Sequence, residues 1–425
     1  MLGRRRNLSS IAALIGLLVL VGPAGPASAQ CGPDPAFDGD GVLVSDFGSV
    51  DEAAHGVAAL PDGAAIVVGE SGRRITAARY LSDGTLDPAF GTGGVVQISH
   101  DDVFSSAAHD VAVQPDGKLV LAGTAFAAVS GSSVYDIAVA RLNPDGTRDT
   151  SFGGGDGVIY LNLQDRQDRA AAVSVDGAGR IVVAGQTQVV LGNSDAVVVR
   201  FLPDGSIDPS FGNQGVVVLD LRTDFDAADG LALQADGALL VAGSYQPRVM
   251  TPFLARLRGD GTRDRRFGRK GVVTPAGSGA WHDVTVQPDG RIVTAGDLQS
   301  DLAVARYLSN GRADGSFGVG GVASVEVDPT GFLLGRAGAV AIRADGGMVA
   351  AGAAWTTNQS EMAAVALTPA GVPDSRFGQE GVVRYQDPVG WMSGLEDVAL
   401  RSDGSALAVG YLGYNWALAR YTPCV

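Results

Sequence analysis

One phrase recurs seven times along this chain, and the repetition constrains the fold before any single residue is weighed. The phrase is Asp-x-x-Phe, usually followed by Gly, with Gly-Val-Val within a few residues. Its Asp falls at Asp34, Asp87, Asp149, Asp208, Asp264, Asp314 and Asp374, and its Phe at Phe37, Phe90, Phe152, Phe211, Phe267, Phe317 and Phe377. The Phe-to-Phe steps are 53, 62, 59, 56, 50 and 60 residues. A period of that size, filled with short apolar runs and Gly-rich turns, marks a propeller or another repeat array, in which each unit buries its apolar faces only against its neighbours.

The second copy serves as a template. Its spacing predicts strands over 94–98, 111–114, 118–123 and 136–142. Pro115-Asp116-Gly117 is a tight hairpin turn, and Pro144-Asp145-Gly146 turns the chain toward the next Phe-Gly. The Asp-Gly turn recurs at Asp62-Gly63, Asp236-Gly237, Asp289-Gly290, Asp345-Gly346 and Asp403-Gly404, with Ala178-Gly179 in the third copy. Four antiparallel strands repeated seven times describe an all-β, seven-bladed propeller. The strands are apolar on both faces, as Ile137, Ala138, Val139 and Ala140 show, which suits blades sandwiched between neighbours. A β-helix is the structural alternative, but its rungs are normally much shorter.

These motifs resemble the delta-60 repeat family of extracytoplasmic β-propeller repeats, marked by Asp-x-x-Phe-Gly and Pro-Asp-Gly. Leu86-Asp87-Pro88-Ala89-Phe90-Gly91 and Val113-Gln114-Pro115-Asp116-Gly117-Lys118-Leu119-Val120 are close matches, and the resemblance runs through essentially all of residues 31–425. It implies the propeller fold and no particular activity, since the family brings no catalytic motif to transfer. The Phe-Gly is also similar to integrin-type propeller repeats, yet their calcium loop is not regularly present; Asp38-Gly39-Asp40 comes nearest and occurs once.

Residues 1–29 read as a secretory signal. Arg4, Arg5 and Arg6 form the charged start, 11–21 is an apolar run too short to span a bilayer comfortably, and Ala27-Ser28-Ala29 is a small-x-small cleavage site. Gln30 before Cys31 argues against a lipoprotein signal, and a retained anchor is the alternative. No second long apolar stretch follows, so residues 30–425 are expected to form one exported propeller domain, secreted or in the cell envelope, monomeric and without membrane insertion. Losing three arginines with the signal takes the formal net charge from −15 to −18. Such a surface repels nucleic-acid phosphates and anionic lipid, which excludes nucleic acid as a partner.

The two cysteines, Cys31 and Cys424, stand at the ends of the mature chain. Arg79, Arg141, Arg200, Arg256, Arg306 and Arg420 share one slot of the repeat, eight residues before the Asp of the phrase in each complete copy. Against that template Cys424 matches Asp83 and Cys31 matches Gly84, adjacent positions on either side of a circular break. The N-terminal segment is therefore expected to complete the last blade, with a Cys31–Cys424 disulfide locking the ring in an oxidising compartment.

Strand alternation puts the Asp-Gly hairpins and Phe-Gly turns on one face of the disc and the remaining connections on the other. On that second face the loop between the third-strand Gly and the next strand runs 4, 12, 9, 7, 4, 8 and 4 residues, and variable loops on a rigid scaffold are a usual place for recognition. Aromatics gather there: Phe126, Tyr135, Tyr245, Trp355, Tyr411 and Tyr414 in one loop class, Phe104, Phe225, Trp281, Phe332 and Trp391 in the other. Trp281, Trp355 and Trp391 are the ligand-binding candidates, although such rings also serve to cover strand ends. His55, His109 and His282 share the slot just before the second strand, which holds Ala171, Asp229, Gly338 and Glu396 in the other copies; equivalent slots make a ring near the channel. No local ligand spacing there supports a metal, and His100 belongs to no pattern. The sevenfold Asp reads as structural, satisfying turn amides or pairing with the Arg, because chemistry needs one asymmetric site.

No nucleophile elbow, phosphate loop or paired-cysteine metal motif is present. The favoured reading is an exported, non-catalytic binding or interaction module for an extracytoplasmic protein or glycan, with no cofactor and no metal. The alternative is a propeller enzyme, a lyase, lactonase or glycan hydrolase, with its site at the central channel. Convergent His and carboxylates at the channel mouth would favour the enzyme, a broad aromatic surface the binding module.

Overall fold

The computed structural model describes residues 31–99, 103–129, 132–163, 166–190, 193–221, 225–327, 334–355, 359–387 and 390–424; the expected signal segment at 1–29, His100 and Phe332 lie outside them. Seven four-stranded antiparallel sheets form the blades. Their first, innermost strands are Glu52–Ala59, Val103–Val113, Asp168–Val175, Asp226–Leu233, Gly279–Val286, Leu334–Ile342 and Ser393–Leu400, blades 1 to 7. Apolar side chains of adjacent blades interlock, as Trp281 and Leu240 or Phe90 and Ala138 do, so the core is a ring of inter-blade layers.

The strand after each Phe-Gly, counted first in its copy by the sequence reading, is the outermost strand of the blade before it. Val95–Ile98 pairs back onto Arg74–Tyr80, Ile98 opposite Ile75. The reason lies in the turn, where Gly94 N donates to Phe90 O and Arg79 N to Gly94 O, folding the chain back at once.

Blade 7 takes its outer strand, Val42–Ser45, from the N-terminal end, with Val42 opposite Ala419. Asp34 N donates to Arg420 O at 2.9 Å just as Asp87 N donates to Arg79 O at 2.8 Å. The Cys31–Cys424 disulfide joins the ends, Cα to Cα 5.0 Å. The bond fits an oxidising, extracytoplasmic environment, and no helix among the described residues is long and apolar enough to cross a membrane.

Each Asp of the phrase works twice. One oxygen accepts the amide two residues on, as Asp208 does from Ser210 at 2.9 Å, and in six blades the other meets the Arg of the shared slot: 2.8 Å at Arg200–Asp208, 2.8 Å at Arg306–Asp314, 2.7 Å at Arg420–Asp34. The guanidinium lies 4.5 to 4.8 Å from the Phe ring centroid in five blades. Arg256, Arg306 and Arg420 also donate to the carbonyls of Ser309, Pro369 and Ser82 in the following blade. The repeated phrase is thus the seam between consecutive blades.

Candidate functional site at the channel mouth

A β-bulge interrupts the innermost strand of every blade, and the residue it leaves unpaired is the His slot. The register skips between Ala54 and Gly56, Ala108 and Asp110, Ala170 and Ala172, Ala228 and Gly230, Trp281 and Asp283, Ala337 and Ala339, Leu395 and Asp397. Opposite each bulge the second strand carries Gly: a methyl on Gly123 would sit on the carbonyl oxygen of Ala107, and one on Gly69 on that of Ala53. Bulges re-aim side chains. Here the seven bulged residues, His55, His109, Ala171, Asp229, His282, Gly338 and Glu396, all line one polar cavity of about 360 Å³, together with Arg169, Gln186 and Arg336.

His55 and His109 face each other with ring centroids 5.2 Å apart. Burial drives both below the ordinary imidazole range, to about 3 and about 4, reinforced by His109 on His55 and by the Arg169 guanidinium on His109. Both are neutral hydrogen-bonding groups at physiological pH. Thr124 Oγ1 lies 3.3 Å from His109 Nε2. His282 is bracketed by carboxylates, with Nε2 3.4 Å from Asp297 and Nδ1 3.9 Å from Asp229. Burial raises the Asp229 carboxyl, against the pull of His282 and Arg336, and Arg336 meets Glu396 at 3.1 Å.

Next along the strand, three carboxylates staple the channel wall. Asp397 accepts its own Val398 amide and the Val57 amide of blade 1; Asp110 accepts Val111 and Val173 of blade 3; Asp283 accepts Val284 and Val340 of blade 6, all at 2.7 to 2.9 Å. These inner-edge amides have no further strand to pair with. The staples join blades 7 and 1, 2 and 3, and 5 and 6. Blade 4 is left over, because Gly230 and the preceding blade's Ala172 stand where an Asp would reach Leu231. Burial raises all three staples, Asp110 to about 7 and Asp397 to about 8, with repulsion from the other staples adding at Asp110 and Asp397, although the amide donors pull the other way.

The three histidines proposed from sequence therefore converge, while the tryptophans do not join them. Trp281 is fully buried, packed with Leu240, Leu254 and Phe267 between blades 4 and 5, and so cannot present a ring to a ligand. Its strand begins at Gly279, earlier than the template implied, which places it inside the sheet rather than in a loop. Trp355 is half-buried at the end of its strand. Trp391 is 47% exposed and stands edge-on to Tyr414, centroids 5.7 Å apart. A second aromatic group rises on blade 2, where Phe104, Phe126 and Tyr135 follow one another at 6.2 and 5.0 Å. Sequence reasoning missed Arg169 and Arg336, which share the slot two before the bulge; polar residues at a slot otherwise held by Ala or Gly were the available signal. Among the described residues the one group of three carboxylates close enough to share an ion is Asp195, Asp220 and Asp226, outside this cavity.

A family model described as a domain of unknown function (DUF5122) beta-propeller matches residues 60–90, 114–152, 179–211, 234–267 and 287–317. No curated protein matches the chain. Among solved structures, a catalytically inactive virginiamycin B lyase from Staphylococcus aureus with quinupristin is 10% identical, at TM-score 0.51, covering 90% of this chain and 98% of that one. A PL25 ulvan lyase is 11% identical at TM-score 0.49, covering 92% and 94%. The periplasmic gluconolactonase PpgL of Pseudomonas aeruginosa is 17% identical at TM-score 0.38, covering 69% and 76%. At such identities the likeness is one of fold. Repeat and architecture agree: the matched repeats support a propeller repeat family, and the chain folds as a seven-bladed β-propeller.

Proposed function

We propose that this chain is an exported recognition propeller that takes a small polar group of an extracytoplasmic ligand into the mouth of its channel. One observation supports this most: the bulged residue of all seven blades lines a single cavity, and that cavity collects three His, two Arg and two carboxylates. The Phe-Gly seams, the apolar inter-blade layers and the Asp staples already hold the blades, so unlike polar groups converging on the axis suit a ligand site. The experiment is a thermal-shift screen of the mature protein against sugars, sugar acids and amino acids, repeated on His282→Ala. A ligand that stabilises the wild type and not the variant supports the reading. One that stabilises both alike binds elsewhere and overturns it.

A second reading, an acid–base enzyme, is favoured by His282, whose imidazole is oriented by Asp297 and faces a carboxyl of raised pKa. It also meets the expectation of convergent His and carboxylates set out above. Product formed from a bound ligand by wild type and not by His282→Ala would select it, while binding without turnover selects the module.

A further inference from the structure

Charge is divided unevenly around the cavity. Blades 1 to 3 present His55, His109, Gln186 and Arg169, while blades 4 to 7 present Asp229, His282 and the Arg336–Glu396 pair. Arg336 is neutralised by its partner. Arg169 has no carboxylate within salt-bridge reach among the described residues, and its guanidinium rests instead on the Tyr135 ring, 4.6 Å from the centroid. One side of the pocket therefore offers an uncompensated planar cation beside neutral imidazoles, and the other offers carboxylate acceptors.

The wall next to Arg169 extends outward. Blade 2 has a second and third strand of 11 residues each, Leu119–Val129 and Ser132–Leu142, against 7 in blade 1, so its hairpin stands above the variable face. Along it the rings of Tyr135, Phe126 and Phe104 lead from the guanidinium to solvent, where Phe104 is 63% exposed.

Building on the channel-mouth reading, we infer that the ligand is an acidic sugar chain whose terminal uronate enters the cavity with its carboxylate on Arg169 and its hydroxyls on Asp229 and Glu396, while the following ring stacks on the Phe104–Phe126 wall. Each part of that ligand has its chemistry on the protein. A guanidinium binds a carboxylate through two parallel hydrogen bonds. Carboxylates accept from hydroxyls, and aromatic faces cover the C–H face of a sugar ring. An amino acid would place its ammonium on the same carboxylates but leaves the aromatic wall without a role.

The test titrates tri-galacturonate, galacturonate, maltotriose and glutamate by calorimetry into wild type, Arg169→Ala, Arg169→Lys, Phe104→Ala and His282→Ala. The expected result is binding of tri-galacturonate that weakens with salt and falls at least tenfold in Arg169→Ala, with Arg169→Lys intermediate. Phe104→Ala should weaken the trisaccharide several-fold and leave the monosaccharide unchanged. Equal affinity for maltotriose, affinity untouched by Arg169→Ala, tight binding of glutamate instead, or no binding of either galacturonate would overturn the inference. If His282→Ala abolishes the binding of some neutral ligand, the cavity is still the site and only the acidic sugar is wrong. If acidic sugars bind wild type, Arg169→Ala and His282→Ala all alike, the channel-mouth reading itself falls.

Discussion

Arg343 and Asp374 lie 3.1 Å apart, both buried, and the pair repairs a gap in the repeat. Blade 6 has Ala366 where the other blades carry the Arg of the seam, so Asp374 draws its cations from Arg343, at the inner Asp-Gly turn, and from Arg376 at 2.8 Å. Its carboxyl is held down to about 2, first by Arg376 and then by Arg343 despite burial. Arg343→Ala is expected to cost about 1–3 kcal/mol, moderated because Arg376 remains. Ala366→Arg should restore much of that loss, since the slot accommodates Arg in six blades. Denaturant unfolding of the two single variants and the double variant measures it; strict additivity would remove the compensation argument.

The disulfide holds the outer strand of blade 7 to the blade it completes. Cys424→Ala, or reduction, should lower stability by about 2–4 kcal/mol and the Tm with it, leaving the β-sheet spectrum unchanged. Two free thiols found by mass spectrometry in exported protein would contradict the pairing.

Stability should fall between about pH 6.5 and 8. In the folded chain Asp110 titrates at about 7 and Asp397 at about 8, while unfolded aspartate titrates near 4. Over that window the folded state therefore holds protons the unfolded state has lost, and stability drops as pH rises. The lowered histidines oppose this only below about 6.5, where unfolded imidazole takes up protons. The seam carboxylates, such as Asp314 at about 2, are ionised in both states above pH 5 and matter only in acid. A Tm series from pH 6.5 to 8.5 should slope downward in wild type and more gently in Asp397→Asn; parallel or rising curves would rule the assignment out.

Trp281→Ala should cost about 3–5 kcal/mol, because it empties a fully buried site between two blades. Trp391→Ala, at the exposed end of an edge-on pair, should change the Tm by little. Equal effects at both positions, read by thermal unfolding, would mean the inter-blade layer is looser than its packing indicates.

Blade number, turn chemistry and the closing partner strand were legible because every copy restates the same local interactions, and Arg420 with Asp34 repeats Arg200 with Asp208 across the break. The His slot was legible as a ring for the same reason. The bulge was not, since it depends on a glycine in the next strand coming close to a carbonyl, as Gly123 does to Ala107. Arg169 escaped notice because its slot holds Ala53, Ala107, Ala227 and Ala280 in other blades, a pattern that reads as packing. Trp281 misled because an aromatic just before a histidine was taken for a loop, whereas the sheet already runs through it.

With Cys31 and Cys424 bonded and their Cα atoms 5.0 Å apart, the folded chain is covalently almost a circle. The break between Cys424 and Cys31 is then one of seven similar seams, and nothing in the repeated Arg–Asp–Phe contact singles out blade 7 for it. A circularly permuted chain, joined across the present ends and opened at another Phe-Gly turn, keeps every blade contact and transfers the task of closure to whichever blade is newly divided. The inner edge is less permissive: its staples couple blades in pairs around an odd ring, so blade 4 keeps its separate character wherever the chain is cut.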